Sequence, residues 1–72
     1  MAALPTLRQL EYAVAVADHR SFQRAARACH VTQPGLSAQI RQLESLLDAR
    51  LFERDRRNVW ITAAGEEVVR RA

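Results

Sequence analysis

Gln33, Ser37 and Arg41 follow one another at spacing four, so a helix would carry all three on one side. Their types match the donor and acceptor code of a duplex major groove. Glutamine pairs with adenine in two hydrogen bonds, arginine with guanine, and serine with base edges or phosphates. A second group, Arg54-Asp-Arg-Arg57, gathers cationic forks in and beside a link between two short apolar runs. Arginine suits phosphates and narrow grooves because its planar guanidinium is weakly hydrated and bonds in pairs. Other chemistry lacks its parts. There is no glycine-rich phosphate loop, no nucleophile with a base and no ligand cluster, so no enzyme activity, cofactor or metal is expected. Cys29, the only cysteine, excludes an intramolecular disulfide and a multi-cysteine zinc site.

These residues need elements to hold them. Thr6-Leu-Arg-Gln9 has the form of a capping box, and Leu7, Leu10, Val14 and Ala17 follow at helical spacing, which predicts a first helix over 7–18. Ser21 is a good N-cap for a second helix over 22–29, with Phe22, Ala25, Ala26 and Cys29 as one apolar stripe. Thr32 caps a third helix ending near Asp48. Pro34 is tolerated in its first turn, and Leu36, Ile40, Leu43 and Leu47 form its buried face. Gln33, Ser37 and Arg41 are expected on the opposite side. Leu51–Arg54 and Asn58–Ile61 are short strand-like runs, Val59 and Ile61 alternating with Asn58 and Trp60 like a half-buried hairpin arm, and Thr62 caps a last helix with Glu66 and Glu67 near its positive end. Two short helices and a tight turn, followed by a hairpin, describe a mainly α winged helix-turn-helix.

Seventy-two residues, 49% of them hydrophobic, allow one small domain with a thin core and no deep substrate cavity. All eleven positive residues are arginine, against eight acids, for a net charge of +3. The charge is uneven: residues 19–43 carry Arg20, Arg24, Arg27 and Arg41 and no acid, while Glu44, Asp48 and Glu53 separate them from the 54–57 cluster. Such a pattern can offer one face to a polyanion and keep the rest well solvated. The apolar run Tyr12–Ala17 is far below the roughly 20 residues that span a bilayer, and no secretory signal is visible, so a reducing cytosolic setting is expected.

Over nearly its full length the sequence resembles the N-terminal DNA-binding domain of LysR-type transcriptional regulators. The resemblance is carried by Leu7-Arg-Gln-Leu10, Ser21-Phe22 with Ala25-Ala26, Val31-Thr-Gln-Pro-Gly-Leu-Ser37, Gln39-Ile40, Leu43-Glu44, Leu51-Phe-Glu-Arg54 and Thr62-Ala-Ala-Gly65. Within the family, Leu10-Glu-Tyr12, Asp18-His-Arg20, Cys29-His-Val31 and Gln39-Ile-Arg41 look most like the peroxide-sensing OxyR branch. The resemblance implies a winged helix-turn-helix over 1–61 and, over 62–72, the start of a linker and dimerisation helix. That helix shows no stop signal before Ala72 and reads as cut, with the family's effector domain absent. It further implies binding to double-stranded DNA at an interrupted inverted repeat, a homodimer through the C-terminal helix, a tetramer in the full-length protein, and RNA polymerase as a partner. By position, Thr32, Gln33, Pro34, Gly35 and Ser37 match the start of the recognition helix, with Arg41 further along it, and Arg54 and Arg57 match the wing arginines. Many members have arginine where Ala38 stands here, so their target preference does not carry over.

Each residue also has a plainer reading. Gln33 and Ser37 would then be solvated, Arg41 would pair with Glu44, and Arg54 with Glu53 or Asp55. Arg56 lies between the two wing arginines with no assigned side. Ser21 and Thr32 serve mainly as caps. Cys29 is expected in the core, Trp60 in wing packing, and His19 and His30 at helix ends without a third metal ligand. The competing class is a winged-helix protein-interaction module, which would more readily expose aromatic or aliphatic anchors on the third helix.

Overall fold

The computed structural model describes residues 4–55 and 58–72, and in them the order of elements is α1 (Leu7–His19), α2 (Phe22–Ala28), α3 (Gln33–Leu47), β1 (Phe52–Arg54), β2 (Val59–Ile61) and α4 (Ala63–Arg71). Local chemistry sets each start. Thr6 Oγ1 accepts from the Gln9 amide at 3.0 Å while Gln9 Oε1 accepts from the Thr6 amide at 3.0 Å, the expected capping box. Ser21, Thr32 and Thr62 each accept from the amide three residues on, at 3.1, 3.1 and 3.0 Å. The ends use left-handed residues that are not glycine: Arg20 (φ 51), His30 (φ 60) and Asp48 (φ 52). The tight α2–α3 turn rests on His30, with the Val31 amide bonded to the Ala26 carbonyl at 3.0 Å.

Leu36, Ile40 and Leu43 of α3 pack against Tyr12, Ala13 and Val16 of α1 and Phe22, Ala25 and Ala26 of α2, with Leu51 and Phe52 closing the base. Phe22 and Phe52 meet edge to face at 6.1 Å between centroids. Antiparallel β1 and β2 pair Phe52 with Ile61, Glu53 with Trp60 and Arg54 with Val59. Val59 and Ile61 are half-buried and Trp60 is exposed, the expected alternation.

Two expectations about faces are corrected. Leu7 belongs to the apolar series that marks α1, yet it is 73% exposed; the side turned inward carries Gln9, Tyr12, Ala13 and Val16. Gln9 is admitted to the interior because its amide has partners, Thr6 in the cap and Gln39 Oε1 of α3 at 3.2 Å. Leu47, expected on the buried face of α3, is 37% exposed because the helix ends at Asp48 and the chain turns off toward the wing. Cys29 is half-buried at the α2 C-cap and packs on the edge of the core.

Candidate nucleic-acid interface

The start of α3 is the exposed end of the helix-turn-helix. Thr32, Pro34 and Gly35 are exposed and Gln33 is half-buried. Thr32 spends its hydroxyl on the Gly35 amide, so capping is its first role. A Cβ at Gly35 would lie 2.8 Å from Thr32 Oγ1, so a larger residue there would have to displace the capping side chain. The absent side chain also leaves the backbone open to close approach. Free amides at a helix N-terminus of this length favour an anionic partner.

Ser37 departs from the expected exposed face. It is 8% exposed, and Gln33 Nε2 donates to its Oγ at 2.8 Å. One turn on, Arg41 is exposed. Ser37 and Arg41 share a shallow cleft of about 160 Å³ with Phe22 of α2, Arg50, and Phe52 and Arg54 of β1. The structure thus brings α3 and wing residues to one concave surface. Arg57 and Arg56 lie outside the described residues.

The arginine pairings differ from the plain readings. The Arg54 guanidinium carbon stands 4.3 Å from the centroid of the Phe22 ring, a cation–π contact in place of a pair with Glu53. Glu53 instead pairs with Arg50 at 3.0 Å, both largely exposed. Glu44 turns to the backbone: its Oε2 accepts from the Leu51 amide at 2.8 Å and the Phe52 amide at 3.4 Å. One carboxylate on α3 therefore fixes the root of β1, and with it Arg54. Glu44 was not among the expected site residues, because its partners are backbone amides seven and eight positions away that no side-chain pattern announces.

At the other edge of the wing, the Thr62 hydroxyl donates to the carbonyls of Arg50 and Leu51, and the Thr62 amide donates to Leu51 at 2.9 Å. Gly65 sits so close to Leu51 that a Cβ would lie 2.2 Å from its carbonyl oxygen. Thr62 and Gly65 thus lock the start of α4 onto the root of β1. Among the described residues no group of three or more His, Cys, Asp or Glu is placed to hold a metal, and no helix is long and apolar enough to cross a membrane.

Comparison with known proteins agrees with this geometry. Residues 7–66 match the family described as "Bacterial regulatory helix-turn-helix protein, lysR family". The chain is 54% identical over 66 residues to the DNA-binding transcriptional dual regulator OxyR of Escherichia coli K12, covering 92% of this chain and 22% of that protein. It is also 54% identical over 72 residues to the HTH-type transcriptional regulator EstR of Acinetobacter baylyi, covering 100% of this chain and 24% of that one. It therefore spans under a quarter of the length of these curated relatives. A crystal structure of a CbnR_DBD–DNA complex superposes with a TM-score of 0.88 at 38% identity, covering 92% of this chain and 76% of that one. The fold is that of a winged-helix DNA-binding domain, and the chain belongs to the LysR family of bacterial regulatory helix-turn-helix proteins.

Proposed function

We propose that this chain is the DNA-reading head of a transcription regulator, binding double-stranded DNA sequence-specifically with α3 in the major groove and the wing arginines on the backbone or minor groove. The observation that carries this reading is the shared cleft, where Ser37 and Arg41 of α3 face Arg54 of the wing. Thr32, Gln33, Pro34, Gly35, Ser37, Arg41, Arg54 and Arg57 are the proposed contacts. Gln33 reads a base edge, and the arginines hold phosphates. No catalytic role is assigned to any residue.

Residues 1–61 form the reading domain in this proposal, and 62–72 begin a linker helix that pairs two copies. Leu4 and Leu7, 81% and 73% exposed, continue into Leu10 and Val14 on α1, beside Leu47, Val68 and Ala72. This apolar surface touches the proposed pairing helix and supports a homodimer on an interrupted inverted repeat. A tetramer of the full-length protein, contact with RNA polymerase and a cytoplasmic place on the nucleoid extend the same proposal. Likeness to OxyR supports a role in oxidative-stress control.

Selection from a random-sequence duplex pool tests the reading. An inverted repeat of two half-sites is the expected product. Affinity for it should fall steeply with salt, since each neutralised phosphate contributes about −0.9 to the slope of log K against log salt. Gln33→Ala should cost about 1–3 kcal/mol on the selected site and reduce its advantage over random DNA. A flat salt response with no enriched sequence would support a protein-interaction module instead.

A further inference from the structure

Among the described contact residues proposed above, Ser37 is the buried one, and its hydroxyl is tied to a neighbour. Gln33 Nε2 donates to it at 2.8 Å across one helical turn, and Ser37 is 8% exposed beside Phe22, Ile40 and Phe52. A primary amide nitrogen carries two hydrogens. With one bound to Ser37, Gln33 is left with one N–H and with Oε1 free to accept. That is the donor and acceptor pair that adenine requires, N7 accepting and the N6 amine donating. The reversed amide would set Oε1 against Ser37 and turn both N–H donors outward, toward guanine's N7 and O6. In the structure the Ser37 oxygen is the acceptor of this bond. Burial keeps water from substituting for it.

We propose that Ser37 is a positioning residue that fixes which way round the Gln33 amide faces a duplex, so that the two residues together discriminate adenine from guanine. The inference rests on the DNA-reading proposal and deepens it. In base choice Ser37 then acts through Gln33, and its substitution changes sequence preference more than it changes general affinity.

The test runs selections from one random-sequence duplex pool with the wild-type chain and with Gln33→Ala, Ser37→Ala and Ser37→Thr, each checked for a cooperative thermal transition. The wild-type chain should enrich adenine at one position per half-site, and Gln33→Ala should lose that enrichment. Ser37→Ala should lower the adenine-over-guanine preference there by about fivefold or more, the worth of a good bidentate pair, a larger change than its loss of affinity for non-specific duplex. Ser37→Thr, which keeps the hydroxyl, should restore the preference. A measurement free of any variant accompanies these: 7-deazaadenine at the enriched position, lacking the N7 acceptor, should weaken wild-type binding. A Ser37→Ala chain that loses affinity for every sequence alike, with its adenine preference intact, would overturn the proposal and make Ser37 a phosphate contact. No loss of wild-type binding to 7-deazaadenine would overturn it as well. If Gln33→Ala leaves base preference unchanged while binding stays salt-dependent, base reading by Gln33 fails first and takes this inference with it.

Discussion

At the scale of single residues, the arginines differ in how far the protein has prepared them. Arg54 lies over the Phe22 ring, which holds a flat guanidinium in place before any partner arrives. Arg41 has no such platform in the cleft and stays exposed. Ordering a long cationic side chain costs rotamer entropy, so the stacked arginine has less to lose on binding. The prediction separates charge from stacking. Arg54→Ala should weaken binding to selected and random duplexes alike and reduce the salt slope by about 1, as loss of one phosphate contact does. Arg54→Lys should keep the slope yet still lose affinity, because an ammonium is more strongly hydrated and lacks the planar fork. Titrations over a salt series read both quantities. A Lys variant equal to wild type would show that the Phe22 platform contributes nothing.

At the scale of elements, the joints carry information that the helices do not. The root of β1 is held from two sides, by the Glu44 carboxylate and by the Thr62–Gly65 start of α4. Gly65→Ala would force a Cβ to within 2.2 Å of the Leu51 carbonyl oxygen, a backbone atom with little room to yield. It should destabilise the fold by about 1–3 kcal/mol, the usual cost of overpacking, measured by urea unfolding. Asp48→Gly should act in the opposite sense. Asp48 closes α3 at φ 52, where a Cβ is strained and glycine is not, so a gain of about 1 kcal/mol is expected. In a domain of this size that corresponds to a rise of about 4–8 °C in Tm. The same contrast explains what was legible in the sequence. Thr6, Ser21, Thr32 and Thr62 were readable as caps because a cap and its amide lie within three residues. The side of α1 that faces the core was not readable. Leu7 looks buried by type and Gln9 exposed, and the order reverses because Gln39, thirty positions on, satisfies the Gln9 amide. The place of Ser37 in the polar series is legible from its spacing, but its burial depends on Phe22 and the wing, which no local pattern brings together. Sequence supplied the parts of the interface, and tertiary contacts decide which are free to act.

At the scale of the whole molecule, the apolar surface on α1 bears on the proposal that two copies of this basic head work together. One head offers few base contacts, and a half-site of a few base pairs recurs too often in a genome to be selective. Two heads joined rigidly multiply the discrimination, provided the joint fixes their separation. The apolar series Leu4, Leu7, Leu10 and Val14 runs beside α4 and shares no residue with the cleft formed by Ser37, Arg41 and Arg54. Its loss should therefore affect pairing and spare reading. Leu7→Glu places a charge on a side chain that is already 73% exposed, so the fold of the single chain should be unchanged. Affinity for a duplex with one half-site should stay within about twofold of wild type, since no contact to the duplex is removed. Affinity for the full inverted repeat should fall toward the single-site value, because the effective concentration supplied by the partner is gone. Titrations on duplexes with one and two half-sites, with sedimentation of each complex, measure this directly. Equal losses on both duplexes would place Leu7 in the reading surface, and an unchanged advantage for the repeat would move the joint elsewhere on the molecule.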